Sequence, residues 1–136
     1  MKIAICGSMT FAKQMIEIKE KLEASGHEVI IPHGVEEFAD GTISVEDKWI
    51  KIENDLIRNW HKVIESSDGI LILNYTKNGI DNYIGGNSLI EMASAYILYK
   101  KIFLLNPVPV MSYTDEIESF NPIVLYGDLS GIKLSS

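Results

Sequence analysis

Short apolar runs alternate with amphipathic stretches along most of the chain. Ile3 to Cys6 is a continuous apolar run of strand length, ended by Gly7-Ser8. From about Thr10 to Ala24, the residues Phe11, Met15, Ile18 and Leu22 fall on one stripe with Lys and Glu opposite, the period of a helix. Ser25-Gly26 supplies a C-cap stop. His27 to Ile31 predicts a second strand, closed by Pro32, and His33 to Ser44 has too little period to be more than a loop or lid. From Val45 or Glu46 to about Ser66 the pattern predicts one long helix, with Trp49, Ile52, Leu56, Trp60, Val63 and Ile64 on its apolar side. Ile70 to Leu73 predicts a third strand, Tyr75 to Gly86 a polar loop, Asn87 to Leu98 a helix, and Ile102 to Leu105 a fourth strand ended by Asn106-Pro107. A short helix near Thr114 to Phe120 and a strand near Ile123 to Leu125 complete the core, and the tail from Gly127 to Ser136 is weakly specified.

Strands that are apolar on both faces, alternating with amphipathic helices, imply a parallel sheet covered on both sides. The expected fold is α/β, a doubly wound five-stranded parallel sheet of flavodoxin-like order 2-1-3-4-5 with helices on both faces. In that order ligands bind at the carboxyl ends of the strands, at the switch point between the first and third strands. The loops that open there begin at Gly7-Ser8 and at Asn74-Tyr75.

Composition narrows the partners. A chain of 136 residues predicts a single domain spanning 1–136, and an apolar fraction of 46% is enough for a real core. The formal net charge of −7 disfavours a nucleic-acid polymer, which needs clustered Lys and Arg. One cysteine excludes an internal disulfide and suits a reducing cytoplasm. No apolar run approaches the roughly 20 residues that span a bilayer, so no membrane partner is expected. No set of His, Cys or acidic residues has metal-ligand spacing, and neither a metal nor another cofactor is expected. The two tryptophans of the long helix and the apolar stretch from Ala93 to Leu98 suggest core or a homo-oligomeric face, in a dimer or larger assembly.

The least generic stretch is Asn82-Tyr83-Ile84-Gly85-Gly86-Asn87-Ser88-Leu89-Ile90-Glu91, a Gly-Gly loop running into a helix that carries one carboxylate about a turn past its start. Glycines let backbone approach a ligand closely, and a helix N-terminus offers unpaired N–H groups to anions. An acid placed there is a nucleophile, a base or only a dipole partner. Gly85-Gly86 alone also fits a plain tight turn, and Ser8 also fits a cap on the first helix.

Cys6-Gly7-Ser8-Met9 after a first strand, the Gly-rich loop, and Glu91-Met92-Ala93-Ser94-Ala95 followed by Lys100 to Pro107 resemble the nucleoside 2-deoxyribosyltransferase superfamily, which includes the 2'-deoxynucleoside 5'-monophosphate N-glycosidases. Ser67-Asp68 before the third strand also fits, so the likeness runs from about Lys2 to Pro107. It implies cleavage or transfer of an N-glycosidic bond in a (deoxy)nucleoside or its 5'-monophosphate, with Glu91 attacking the anomeric carbon. It implies a small-molecule pocket shaped by Gly7, Ser8, Met9, Gly85, Gly86, Asn87 and Ser88. Ser8 and Ser88 would hydrogen-bond a 5'-hydroxyl or 5'-phosphate, and Tyr75 and Asn82 would touch base or sugar. In the family a neighbouring subunit helps close the site, a part the segment Pro107 to Tyr113 would take here.

Three positions depart from that pattern. Trp60 stands where the family carries an acid in the helix before the third strand, Asn87 stands where a Gly precedes the nucleophile, and Ala93 replaces a Gly after it. Asp81 and His61 are candidates to replace the missing acid, although a surface or packing role suits His61 better. Cys6 ends an apolar strand and reads as core. His27 reads as a strand start, His33 as loop surface, and Asp40 and Asp47 as caps or solvated charges. Two alternatives stand beside the enzyme: a non-catalytic nucleotide-binding module on the same fold, and a phosphoribohydrolase of the cytokinin-activating type, whose Gly-Gly loop and nearby Glu this chain shares without the following Gly-Thr and Arg.

Overall fold

Every run predicted as a strand becomes one, and in the three central strands alternate residues find a hydrophobic layer on opposite sides. A computed structural model describes residues 1–43 and 48–134. The strands are β1 (Lys2–Cys6), β2 (Glu28–Ile30), β3 (Gly69–Ile72), β4 (Lys101–Leu104) and β5 (Ile123–Val124). They form one parallel sheet in the order β2-β1-β3-β4-β5. In register, Ile3 pairs with Gly69 and Cys6 with Ile72, and Gly69 pairs in turn with Lys101.

On one face lie Ile3, Ile5, Leu71, Leu73, Phe103 and Leu105, covered by Met15 and Leu22 of helix α1 (Ala12–Ala24) and by Val35 of the short helix α2 (Val35–Ala39). On the other lie Ala4, Cys6, Ile70, Ile72, Ile102 and Leu104. They are covered by Ile64 of α4 (Leu56–Glu65), Met92 and Ala95 of α5 (Gly86–Ile97), and Ile117 of α6 (Thr114–Ser119). This odd-even division is the two-residue period of a strand buried on both sides. The predicted α1 stripe is intact: Phe11, Met15, Ile18 and Leu22 are all buried. Among the described residues no helix is long and apolar enough to cross a membrane.

Two segments differ from the sequence pattern. The stretch predicted as a loop from His33 contains α2, one short turn of helix entered through Gly34 in the left-handed region. The single long helix is instead two, α3 (Lys48–Glu53) and α4, and its predicted start at Val45 or Glu46, like the cap at Asp47, lies outside the described residues. The break is at Asn54-Asp55. Asp55 has φ 49°, a left-handed conformation that Asp and Asn tolerate better than other side chains. Asn59 Nδ2 donates to Asn54 O at 2.8 Å, satisfying a carbonyl that the interrupted helix leaves open. The apolar period runs through the joint, which is why the pattern does not show it. Trp49 is 59% exposed and so is no core residue of this chain, whereas Trp60 packs against the second layer.

Candidate active site

The carboxyl ends of β1 and β3 set the floor of the site. Gly7 follows β1 with φ +153°, and a Cβ there would sit 3.2 Å from Leu73 O. Only glycine fits a backbone turned this way so close to the neighbouring strand. Ser8 then caps a 3-10 turn (Met9–Phe11), its Oγ accepting from Thr10 N at 3.2 Å. The same oxygen accepts from Lys77 Nζ at 2.7 Å.

Lys77 reaches Ser8 because of a tight hairpin. Lys77 and Ile80 exchange backbone hydrogen bonds of 3.0 and 3.1 Å across Asn78-Gly79. Both central residues have positive φ, 54° and 72°, the type I′ geometry that Asn-Gly favours. Lys77 Nζ also lies 5.7 Å from the centre of the Tyr83 ring. Behind the hairpin, buried Asn74 ties the end of β3 to the end of β4 through Asn106.

The loop then enters α5 at Gly85, which makes no side-chain cap, and the first turn of the helix holds no acidic residue. Gly85 and Gly86 do not have positive φ. A Cβ at Gly86 would meet no atom within 4 Å, so this glycine leaves space open and does not serve a strained turn. Ser88 is buried, and Glu91 lies half-buried about a turn further along α5.

Two cavities meet here. The larger, of about 540 Å³, is bounded by Gly7 and Met9 from the β1 loop, Phe38 and Ile43 near α2, Leu56, Trp60 and Ile64 of α4, and Asn87, Ile90 and Glu91 of α5. Its walls are mainly hydrocarbon, and its size lies in the range of small-molecule sites. The smaller, of about 140 Å³, is lined by Gly7, Ser8, Lys77, Tyr83, Gly85, Gly86, Asn87 and Ser88. Gly7 and Asn87 belong to both, so the cavities adjoin at the switch point.

Behind Glu91 lies Cys6, fully buried. Burial pushes its thiol well above the usual range, and the Glu91 carboxylate raises it further. The Trp60 indole favours the thiolate slightly, too little to offset those effects. Trp60 Nε1 is itself buried and makes no hydrogen bond of good geometry among the described residues. Cys6 is therefore a neutral, inert thiol at physiological pH, in keeping with a core role.

The structure brings together most of the residues expected at the site. Met9 and Glu91 line the large cavity, Ser8, Gly85, Gly86 and Ser88 the small one, and Gly7 and Asn87 both. Tyr75 and Asn82 line neither. The Tyr75 ring packs edge-on against Phe11 with centroids 5.1 Å apart, and Asn82 takes a left-handed conformation in the loop. Asp81 is exposed, accepts from Thr76 Oγ1 at 3.1 Å, and also lies outside both linings. His61 and His33 are exposed residues on the rim of the large cavity. The Pro107–Tyr113 segment is tied to its own chain, Tyr113 Oη donating to Ile84 O. The pattern missed Lys77: Asn78-Gly79 is the strongest short-range signal for a hairpin and gives the turn, but not the contact with Ser8.

Comparison of the chain with protein-family models, with curated proteins and with solved structures finds no significant match.

Proposed function

We propose that this protein cleaves the N-glycosidic bond of a (deoxy)nucleoside or its 5'-monophosphate, with Glu91 as nucleophile. The observation that carries the proposal is the position of Glu91. It is a half-buried carboxylate on the wall of an apolar cavity at the carboxyl edge of the sheet, one turn from a polar cleft at a helix N-terminus. Its carboxylate oxygen would bond to C1' of the sugar as the bond from C1' to the base nitrogen breaks, through an oxocarbenium-like transition state. The departing base takes a proton from water or a rim residue. Water then attacks C1' of the ester, the free sugar leaves, and the carboxylate is restored. A largely apolar surround strengthens the attraction between the carboxylate and the developing cation.

Trp60 shapes the leaving-group step. An indole N–H donates a hydrogen bond but gives up no proton, so Trp60 orients the base and does not protonate it. His61, exposed on the cavity rim, is the side chain we assign to that transfer. The same substitution favours a second function, nucleotide binding without turnover.

A panel of nucleosides and 5'-monophosphates, ribo and deoxy, separates the two. Free base detected by chromatography with the wild-type protein, and its loss in Glu91→Gln with binding retained, supports the enzyme. Tight binding of intact ligand with no base released supports the binding module.

A further inference from the structure

We infer that Asn78-Gly79, at the tip of the hairpin that carries Lys77, is a site of self-modification: Asn78 deamidates through a cyclic imide, and the isoaspartyl product releases Lys77 from Ser8. The inference does not depend on the reaction assigned to Glu91.

The turn leaves both reacting groups free. Its backbone bonds run between Lys77 and Ile80, each donating to the other's carbonyl, so a two-residue loop of this type gives Gly79 N no acceptor. Asn78 and Gly79 are exposed, and neither the Asn78 carboxamide nor Gly79 N has a hydrogen-bond partner among the described residues. A Cβ at Gly79 would meet no atom within 4 Å, so nothing crowds the nitrogen as it swings towards the side chain.

No other asparagine among the described residues combines these conditions. Asn106 and Asn121 precede proline, which has no N–H. Asn74 is buried with its carboxamide bonded to Asn106. After Asn54 and Asn82 the next N–H is already engaged, Asp55 N with Ile52 O at 3.2 Å and Tyr83 N with Tyr75 O at 3.0 Å. Asn59 and Asn87 lie in α4 and α5, where helical dihedrals hold the next nitrogen away from the side-chain carbonyl. Two Asp-Gly pairs, which close the same ring more slowly, are tied as well: Asp40 accepts from Thr42 N at 2.9 Å and Asp68 from Lys2 N at 2.7 Å.

Water and hydroxide are the only co-reactants. Gly79 N loses its proton to hydroxide and attacks Asn78 Cγ. The N–Cγ bond forms, the Cγ–Nδ2 bond breaks, and ammonia leaves with a proton from water. Water then opens the imide at either carbonyl. Attack at Cγ restores the original main chain with an aspartyl side chain. Attack at the main-chain carbonyl gives isoaspartate, whose main chain runs through Cβ and Cγ and is one atom longer. The reciprocal Lys77–Ile80 bonds need a two-residue loop of fixed length. The hairpin therefore opens, and the Lys77 ammonium leaves Ser8 Oγ, to which it donates at 2.7 Å. The change is one-way, so the converted fraction records the age of the molecule.

The test is ageing of the intact protein in mildly alkaline buffer, followed by peptide mass mapping and amide NMR. The peptide holding Asn78 is expected to exchange one ammonia for one water before any other. It should do so faster as pH rises, and yield two isomers with isoaspartate in excess. In the isoaspartyl fraction the amide signals of Ser8 and Thr10 should shift. Asn78→Gly, which keeps a favourable turn and has no carboxamide to cyclise, should show neither change on ageing. Earlier conversion at another asparagine overturns the inference. So does an Asn78 still intact in the folded protein after the urea-unfolded chain has converted. Unshifted Ser8 and Thr10 signals in the isoaspartyl fraction overturn the release of Lys77.

Discussion

Asn74 and Asn106, thirty-two residues apart in sequence, grip each other through both side chains. Asn74 Oδ1 accepts from Asn106 N at 2.9 Å, Asn74 Nδ2 donates to the Asn106 and Pro107 carbonyls at 2.8 and 3.1 Å, and Asn106 Nδ2 returns a bond to Asn74 O at 3.1 Å. Asn74 is fully buried. The pair closes the backbone groups left open where β3 and β4 end, and so holds the base of the loop that carries Lys77. Asn74→Ala strands several buried partners and should lower stability by about 2–3 kcal/mol. Urea denaturation measures the loss. An unchanged midpoint would show that water replaces the side chain without penalty.

Glu91→Gln keeps the size of the side chain and removes its nucleophilicity. Base release should fall by at least about 10³-fold while the ligand still binds. Single-turnover assays with enzyme in excess are the right measurement, since they separate chemistry from release of the sugar. Retention of more than about a tenth of the activity would exclude Glu91 as the attacking group.

Cys6 links the site to pH. Burial, reinforced by Glu91, raises its folded pKa above that of the unfolded thiol. The folded state therefore holds its proton where the unfolded state has lost it. The resulting stability is complete below the unfolded thiol's pKa, about 8.5, and declines as pH rises from there towards the folded value. The thiol contributes a slope approaching about 1.4 kcal/mol per pH unit in that window. Cys6→Ala should be less stable near neutrality, because a cavity is left, yet lose stability less steeply between pH 8.5 and 10. Parallel slopes would contradict the assignment. The raised Tyr75 and Tyr113 hydroxyls act in the same direction nearer pH 10, in both proteins alike.

Two glycines of the site should respond oppositely to alanine. At Gly7 a Cβ meets Leu73 O at 3.2 Å with φ +153°, so Gly7→Ala should cost about 1–3 kcal/mol. At Gly86, within a helix, a Cβ meets nothing within 4 Å. Gly86→Ala should match the wild type in thermal melting or exceed it by up to about 1 kcal/mol, while weakening ligand binding by partly filling the cleft. A Gly86→Ala protein that melts early would mean the glycine serves the fold and not the ligand.

The sheet was legible because its strands are apolar on both faces, so Ile3–Cys6, Ile70–Leu73 and Ile102–Leu105 admit few other assignments. The strand order followed from general rules of parallel crossover connection, and with it the convergence of Gly7, Ser8 and the Gly-Gly loop on one edge. The joint at Asn54-Asp55 was hidden because two helices share one apolar phase, and a single left-handed residue does not disturb a period. Tyr75 lines neither cavity: an aromatic residue opening a loop serves a core edge as readily as a ligand, and here it packs beside Phe11. Lys77 escaped notice for a different reason: its importance comes from a hairpin that folds it back onto a residue sixty-nine positions earlier, a contact no local pattern encodes.

The walls of the large cavity belong to two populations of residues. Gly7, Asn87 and Glu91 stand on the sheet edge and on α5, whereas Phe38, Ile43, Lys51, Leu56 and Ile57 come from the short, jointed pieces between β2 and β3. Under the proposed function, substitutions among the second group reshape the room for the base without moving the carboxylate. Selectivity could then be retuned from one wall while the other keeps Glu91 in place.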